Sequence, residues 1–300
     1  MTKIRIVTHS GGFHADDVFG VAALRLLLAG QEIEVLRSRD PEIIRSGDYV
    51  LDAGFVYDES KNRFDHHQEG GAGKRNNGIP YASFGLIWKK FGKEIIGSQT
   101  DADAVDEYII EPIDAYDNGV ELFFKNDQYK KSPFLIQSVI AFLEPARGEA
   151  LTRDEAFMEA VAIAGRILER VIVHVKSDAE TKQFIHTQYE ASKNKTIIVF
   201  PEGEIISRTL IANVLGEYQE PIYFVRTHED GTWQVVGVSI EPFSFAVRKS
   251  LPVAWQGKKG DELASITGVT DAFFCHRAGF MAVTKTKEGA IALAELALTN

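Results

Sequence analysis

The 300-residue chain predicts an α/β fold: a mostly parallel sheet in an N-terminal domain, a smaller α+β C-terminal domain, and a long helix joining the two. Three observations carry this expectation. Through the first half, short β-like runs alternate with apolar helical stretches, the rhythm of βαβ units. In the middle, apolar residues recur at Phe157, Val161, Ala164, Leu168, Val171 and Val175, one stripe at helical spacing. The last third returns to short strand-like runs and closes on a helix. The domain limits expected from these shifts are 1–145, 146–195 for the helical connector, and 196–300.

In order, residues 3–8 form the first β-like run and 16–29 an apolar helix buried on most sides. Residues 32–36 alternate as a strand. Another covers 48–51 and ends at Asp52-Ala53-Gly54, and a short one over 62–64 ends at Asp65. Helices are expected at 81–91, 101–110 and 133–142. Thr152-Arg153-Asp154-Glu155 has the Thr-x-x-Glu form of a capping box, so the connector helix begins there, and a polar extension carries it towards Lys193. Strands follow at 196–200, 222–226, 234–238, 272–275 and 280–283, and the closing helix at 288–298.

Composition bounds the function. Hydrophobic residues at 45% and charged residues at 25% are ordinary for a soluble globular protein. No run reaches the ~18 apolar residues of a membrane span. The opening Met1-Thr2-Lys3-Ile4-Arg5 leads straight into a strand and resembles no targeting segment, so a cytoplasmic location is expected. The single cysteine, Cys275, excludes an internal disulfide and a cysteine-based zinc site, and its apolar run reads as a buried, inert thiol. A net charge of −10 argues against general attraction to polyanions, so a phosphate substrate would need positive charge concentrated locally.

The ionisable residues fall at strand ends. His9-Ser10-Gly11-Gly12-Phe13-His14-Ala15-Asp16-Asp17 follows the first strand, Asp52 follows the strand over 48–51, and Asp65-His66-His67 follows the strand over 62–64. Ligands of open parallel sheets bind outside the carboxyl ends of strands, which places His9, His14, Asp16, Asp52, Asp65 and His66 around one crevice. Singly, Asp16 or Asp17 reads as a helix N-terminal carboxylate and Asp52 as a turn residue. Jointly they form a mixed Asp/His set suited to Mn²⁺, Mg²⁺, Co²⁺ or Zn²⁺. Carboxylates can bridge two such ions, an arrangement that activates water for in-line attack at phosphorus, and His67 stands beside the set as a donor to a phosphate oxygen.

These motifs resemble the DHH phosphoesterase superfamily, which includes RecJ-type exonucleases, family II inorganic pyrophosphatases and cyclic-dinucleotide phosphodiesterases. They are closest to its Myg (melanocyte proliferating gene) type nuclease branch. His9 to Asp17 looks like the first motif, Phe64-Asp65-His66-His67-Gln68 the third, and Asp114-Ala115-Tyr116-Asp117-Asn118-Gly119 the fourth. The resemblance runs over nearly the whole chain. It implies a two-metal site, with manganese expected and Mg²⁺ or Co²⁺ as alternatives. His9, His14, Asp16, Asp52 as bridging carboxylate, His66 and Asp117 become ligands, and Asp65, His66 and His67 catalytic residues. Asp114 lies one helical turn from Asp117 and is the alternative fourth-motif ligand. The first motif departs from the superfamily in having His14-Ala15-Asp16 where many relatives have Asp-x-Asp.

Two segments supply local positive charge. Residues 70–78 hold four glycines with Lys74 and Arg75, either a phosphate-cradling loop or a flexible surface loop. Residues 242–260 hold Arg248, Lys249, Lys258 and Lys259 among Phe243, Phe245 and Trp255, either a platform for nucleic-acid bases or an ordinary hairpin. Further on, His276-Arg277-Ala278-Gly279 resembles the superfamily's C-terminal substrate motif, and this implies that His276, Arg277 and Gly279 contact substrate. The expected function is a metal-dependent phosphodiester hydrolase, an exonuclease acting on RNA or short oligonucleotides. Alternatives are a small-molecule phosphatase or pyrophosphatase and a non-catalytic metal-dependent RNA-binding protein. The expected partner is the phosphate-containing substrate, with no membrane, and a homodimer is an admissible assembly.

Overall fold

The computed structural model describes residues 3–123, 131, 133–241 and 244–299. The chain divides into two compact units, Met1–Lys176 and Ser177–Asn300. The first contains β1 (Ile4–Thr8), α1 (Ala15–Leu27), β2 (Ile33–Arg37), α2 (Pro41–Ser46), β3 (Tyr49–Leu51), β4 (Tyr57–Asp58), β5 (Arg63–Phe64), α3 (Ser83–Ile96), α4 (Gln99–Val105), a π-helical turn (Asp106–Ile110), α5 (Glu111–Asp117) and α6 (Ile136–Ala141), and the start of α7 (Arg153–Ala191). The strand order is β2-β1-β3-β5-β4. All neighbours are parallel except the edge strand β4. The chain leaves β1 to pair on one side as β2 and returns to its other side as β3. The carboxyl ends of β1 and β3 therefore flank a topological switch point, where the adjoining connections diverge and open a crevice.

The helix after β1 is apolar on nearly every side because its surroundings are. Every residue from Ala15 to Leu24 in α1 is buried. Phe19 stands against Phe84 of α3 with ring centroids 5.7 Å apart. At Gly20 a Cβ would meet Leu51 Cδ1 at 2.5 Å, so only a hydrogen fits between helix and sheet. The helical stripe read from the sequence lies in this core: Phe157, Val161, Ala164 and Leu168 are buried in it, and Val171 and Val175 pack against it. The α7 start carries the expected capping box, with the Glu155 amide donating to Thr152 Oγ1 at 3.2 Å and the Thr152 amide to Glu155 Oε2 at 2.9 Å.

The second unit contains the end of α7, then β6 (Ile197–Val199), α8 (Arg208–Gly216), β7 (Tyr223–Thr227), β8 (Trp233–Gly237), α9 (Gly260–Thr267), β9 (Ala272–Cys275), β10 (Met281–Thr284) and α10 (Lys287–Thr299). The sheet order is β6-β7-β8-β10-β9. Only β6 and β7 are parallel; the other pairs run antiparallel. Alternation splits the side chains between two cores: Tyr223, Val225 and Val235 pack with Leu293 and Ala297 of α10, while Phe224 and Val236 pack with Ile211 and Leu215 of α8 and Ile185 of α7. With both faces covered, the strands read as continuous apolar runs. Cys275 is fully buried and burial pushes its thiol up to about 11, so the inert reading holds.

Helices α2, α8 and α9 go beyond the sequence expectation. They span 6, 9 and 8 residues, too few turns for periodicity to register. Residues Pro242 and Phe243, part of the basic–aromatic segment, lie outside the described residues. Among the described residues, no helix is long and apolar enough to cross a membrane.

One close approach sets a stability test. A Cβ on Gly85 would lie 1.8 Å from Asp114 Oδ2, a fully buried carboxylate that has no room to withdraw. Gly85→Ala should destabilise the first unit by about 3 kcal/mol, the upper range for overpacking against a buried polar network. A leftward shift in the denaturant midpoint, followed by fluorescence or circular dichroism, checks it; an unchanged midpoint contradicts it.

Candidate metal centre

Three neighbouring strands end on the residues that carry the chemistry. β1 delivers His9, β3 delivers Asp52, and β5 delivers Asp65-His66-His67. Asp52 leaves the sheet in the left-handed region, φ +51°, with its amide donating to Phe64 O at 3.1 Å. Aspartate is one of the few side chains that tolerate this conformation. His14 precedes α1, Asp16 and Asp17 lie in its first turn, and Asp117 ends α5.

The side chains converge on Asp52. Its Oδ2 lies 3.1 Å from His9 Nε2, and its Oδ1 lies 3.5 Å from His66 Nε2 and 3.3 Å from His67 Nδ1. His9 Nε2 is also 3.3 Å from Asp17 Oδ2, and His66 Nε2 is 3.1 Å from Asp117 Oδ2. Three groups have ligand atoms close enough to share an ion: His9 with His14 and Asp52; Asp52 with His66 and His67; Asp16 with His66 and Asp117. Asp52 joins the first group to the second and His66 the second to the third. Every residue assigned to metal from the sequence is in this chain of groups. Asp114 is not: it accepts the Gly85 amide at 3.1 Å and pairs with Arg75.

The cluster carries the electrostatics of a cation site. Asp17 Oδ2, Asp52 Oδ1 and His66 Nε2 are buried without hydrogen-bond partners, although ionisable atoms lie within 3.5 Å of each, because those contacts lack hydrogen-bond geometry. Burial and the neighbouring Asp117, Asp52 and Asp114 hold the Asp16 carboxyl well above its ordinary value. Burial also raises Asp17. Burial opposes ionisation of Asp52, but the imidazoles of His66, His67 and His9 beside it override that and hold the group far below the usual carboxylate range. His66 is raised despite its burial, by Asp117 and Asp52. Protons on imidazoles thus balance crowded carboxylates, a task that a divalent cation performs better, and a set of imidazole and carboxylate donors fits such an ion.

Other contacts orient this set. Asp16 is 1% exposed and accepts the amides of Ser83 and Phe84 at 3.1 and 2.7 Å, which ties it to the first turn of α3. Asp65, expected to be catalytic, lies outside all three groups. Its Oδ1 accepts the His67 amide at 2.9 Å and lies 3.0 Å from His67 Nδ1, and its Oδ2 accepts the Phe55 amide at 2.7 Å. It positions His67 and the 53–55 turn. Asp17 is fully buried, accepts the His14 amide at 2.8 Å and faces His9; its sequence signal was the tandem acid beside Asp16. Arg39, also beyond the sequence reading, donates to Ser10 O at 3.2 Å and lies 3.4 Å from His9 Nδ1. It follows the end of β2, where the strand-end rule would have found it. These groups open onto a cavity of about 920 Å³, large enough for a nucleotide, lined by His9, His14, Asp16, Asp52, His67 and Asp117 among others.

The residues expected to grip phosphate fare differently. Lys74 is exposed. Arg75, expected in a phosphate loop, is instead buried: it binds both oxygens of Asp106 at 2.7 and 2.6 Å, reaches Asp114 Oδ2 at 2.8 Å, and stacks over Tyr81. Arg248 donates to Pro221 O and Gly216 O at 2.9 and 2.8 Å, and Lys249 to Leu298 O at 2.7 Å, so these two charges serve backbone carbonyls rather than a ligand. Trp255 is buried in the second core, not offered as a stacking surface. His276, Arg277 and Gly279 occupy the turn between β9 and β10; Arg277 is exposed, and His276 packs on Phe280 at 4.3 Å between ring centroids. Gly279 has φ +68°, and a Cβ there would meet Gln256 Nε2 at 2.5 Å, so packing of the turn by itself demands glycine.

Comparison with known proteins agrees with the motifs. The chain is 31% identical to the MYG1 protein of Dictyostelium discoideum, over 98% of this chain and 96% of that protein. It is 30% identical to the MYG1 protein C694.04c of Schizosaccharomyces pombe, over 98% and 97%. It is 27% identical to the MYG1 exonuclease of Homo sapiens, over 100% and 87%. No solved structure matches. The family model that matches residues 5–298 is MYG1_exonuc, described as "Uncharacterised protein family (UPF0160)", and the chain belongs to that family.

Proposed function

We propose that the protein is a metal-dependent phosphodiester hydrolase, an exonuclease acting on RNA or short oligonucleotides, with two divalent ions, manganese first among them, held along the chain of ligand groups. The observation that carries this reading is Asp52, a buried carboxylate shared by two potential ion-binding groups at the switch point of a parallel sheet. Mammalian relatives named MYG1 exonuclease, including those of Homo sapiens and Bos taurus, support the reaction class.

Divalent ions bound there would lower the pKa of water and neutralise charge on the phosphoryl oxygens. The chain's own residues supply the rest. Asp52 joins two of the three groups and His66 reaches the third, while Asp16 and Asp17 carry supporting charge where solvent is excluded. Asp65 and Asp52 hold the Nδ1 side of His67, leaving Nε2 to donate to a phosphate oxygen in the cavity. The neighbouring Asp52 carboxylate raises His67 above its ordinary value, with Asp65 adding to the effect against partial burial, which favours the protonated, donating form of the imidazole. Lys74, His276, Arg277 and Gly279 are assigned to the non-reacting phosphates. Cytoplasmic location belongs to the same proposal.

With Mn²⁺, the purified protein should shorten an end-labelled oligonucleotide, and a chelator should stop it. Asp52→Asn should reduce turnover to background. Asp65→Asn, which loses only the positioning of His67 and the 53–55 turn, should cost about 10- to 100-fold. If no phosphodiester is hydrolysed under any divalent metal, the reading fails.

The raised His66 sets a pH dependence. In the metal-free fold its imidazolium stabilises the protein fully below the ordinary value of 6.5, and this contribution is lost only as pH rises through the higher folded value. A cation taking His66 must expel that proton. Calorimetry in buffers of different ionisation enthalpy should therefore show proton release, and Mn²⁺ affinity should rise from about pH 6 to about pH 8. A flat affinity over that interval would contradict ligation by His66.

A further inference from the structure

The metal cavity is lined by exposed aromatic side chains. Phe55 is 67% exposed, Tyr116 48% and Phe142 79%, and all three line the cavity with the ligand residues. Phe55 is the unusual one. Its φ is +58°, a conformation that strains a bulky side chain and is normally left to glycine or asparagine. A tight turn alone would be better served by a second glycine beside Gly54, which has φ +93°. Phenylalanine here presents a ring to solvent at a conformational cost.

The strain is held in place by the metal-site framework. The Phe55 amide donates to Asp65 Oδ2, while Asp65 Oδ1 engages His67. The Phe55 ring stands edge-on to His67, with centroids 6.4 Å apart and planes at 75°. One carboxylate thus sets both the imidazole and the aromatic face. Tyr116 directly precedes the ligand Asp117 and so stands beside the third ligand group. A flat apolar surface next to a phosphate-handling centre matches the shape of a nucleotide, in which a ring is tethered close to its phosphate.

We propose that Phe55 is a stacking platform for the nucleobase adjoining the reacting phosphate, with Tyr116 as a second aromatic wall of the same subsite. This rests on the phosphodiesterase reading and gives that site its base-contacting residues; inorganic pyrophosphate would offer them nothing to stack. Stacking tolerates any base, so the subsite selects for a base and not for a sequence.

The test uses the full-length chain with Mn²⁺ and a 2-aminopurine mononucleotide, whose fluorescence is quenched on stacking. The wild type should quench it. Phe55→Asn, which suits the left-handed backbone, should abolish quenching and weaken nucleotide affinity roughly tenfold to a hundredfold. Phe55→Trp should retain both. Inorganic phosphate affinity should be the same in all three proteins. Nucleotide binding by Phe55→Asn equal to wild type, or an equal loss of phosphate affinity, would overturn the platform. Quenching by a wild-type protein that cleaves no phosphodiester would leave the subsite standing and remove the hydrolase reading. Diester cleavage with nucleotide binding indifferent to Phe55 would do the reverse.

Discussion

Asp52 is 6% exposed, yet its environment keeps it ionised. A buried carboxylate survives as an anion only where hydrogen bonds or cations offset the lost hydration. Here the offset comes from imidazoles on two strand ends, His9 from β1 and His66 and His67 after β5, and the cluster depends on that convergence. The left-handed turn at Asp52 lets the carboxylate leave the sheet while its amide still bonds to β5. Strand order matters for the same reason: only with β3 between β1 and β5 can one carboxylate meet histidines from both sides.

The first helix and α3 are built around this constraint. Asp16 reaches from the first turn of α1 to accept two amides at the start of α3, where the helix dipole favours negative charge. The tight packing at Gly20 brings α1 close to the sheet and α3. Asp114 plays a related part further back, joining Gly85 of α3 to Arg75 and, through it, to Asp106 of the π turn. Burial pushes Asp114 up to about 7, against the pull of Arg75. The acids around α3 thus divide: some face the cavity, and Asp114 fastens helices together.

The basic residues follow the opposite logic. A net charge of −10 means that a phosphate site must gather its cations, and Arg75, Arg248 and Lys249 stand in the two basic segments that the sequence offers for it. Folding uses all three on carboxylates and backbone carbonyls. Buried acceptors need donors, and a long basic side chain is a ready source. The local density of Lys and Arg in a sequence therefore says little about which of them meets a ligand.

The sequence by itself determined the family, the α/β class, the capping box at Thr152, the stripe from Phe157 to Val175, and the six ligand candidates from His9 to Asp117. These are legible because each depends on local periodicity or on motifs placed at strand ends, where chain direction alone dictates exposure. Only the tertiary structure decided that Asp65 positions rather than joins a ligand group, that Asp17 is buried against His9, that Asp114 belongs to Arg75, and that Phe55 faces the cavity. Such roles depend on which groups meet across distant segments and on how much water remains between them. A residue's type announces what it can bind; burial and neighbours decide what it does bind.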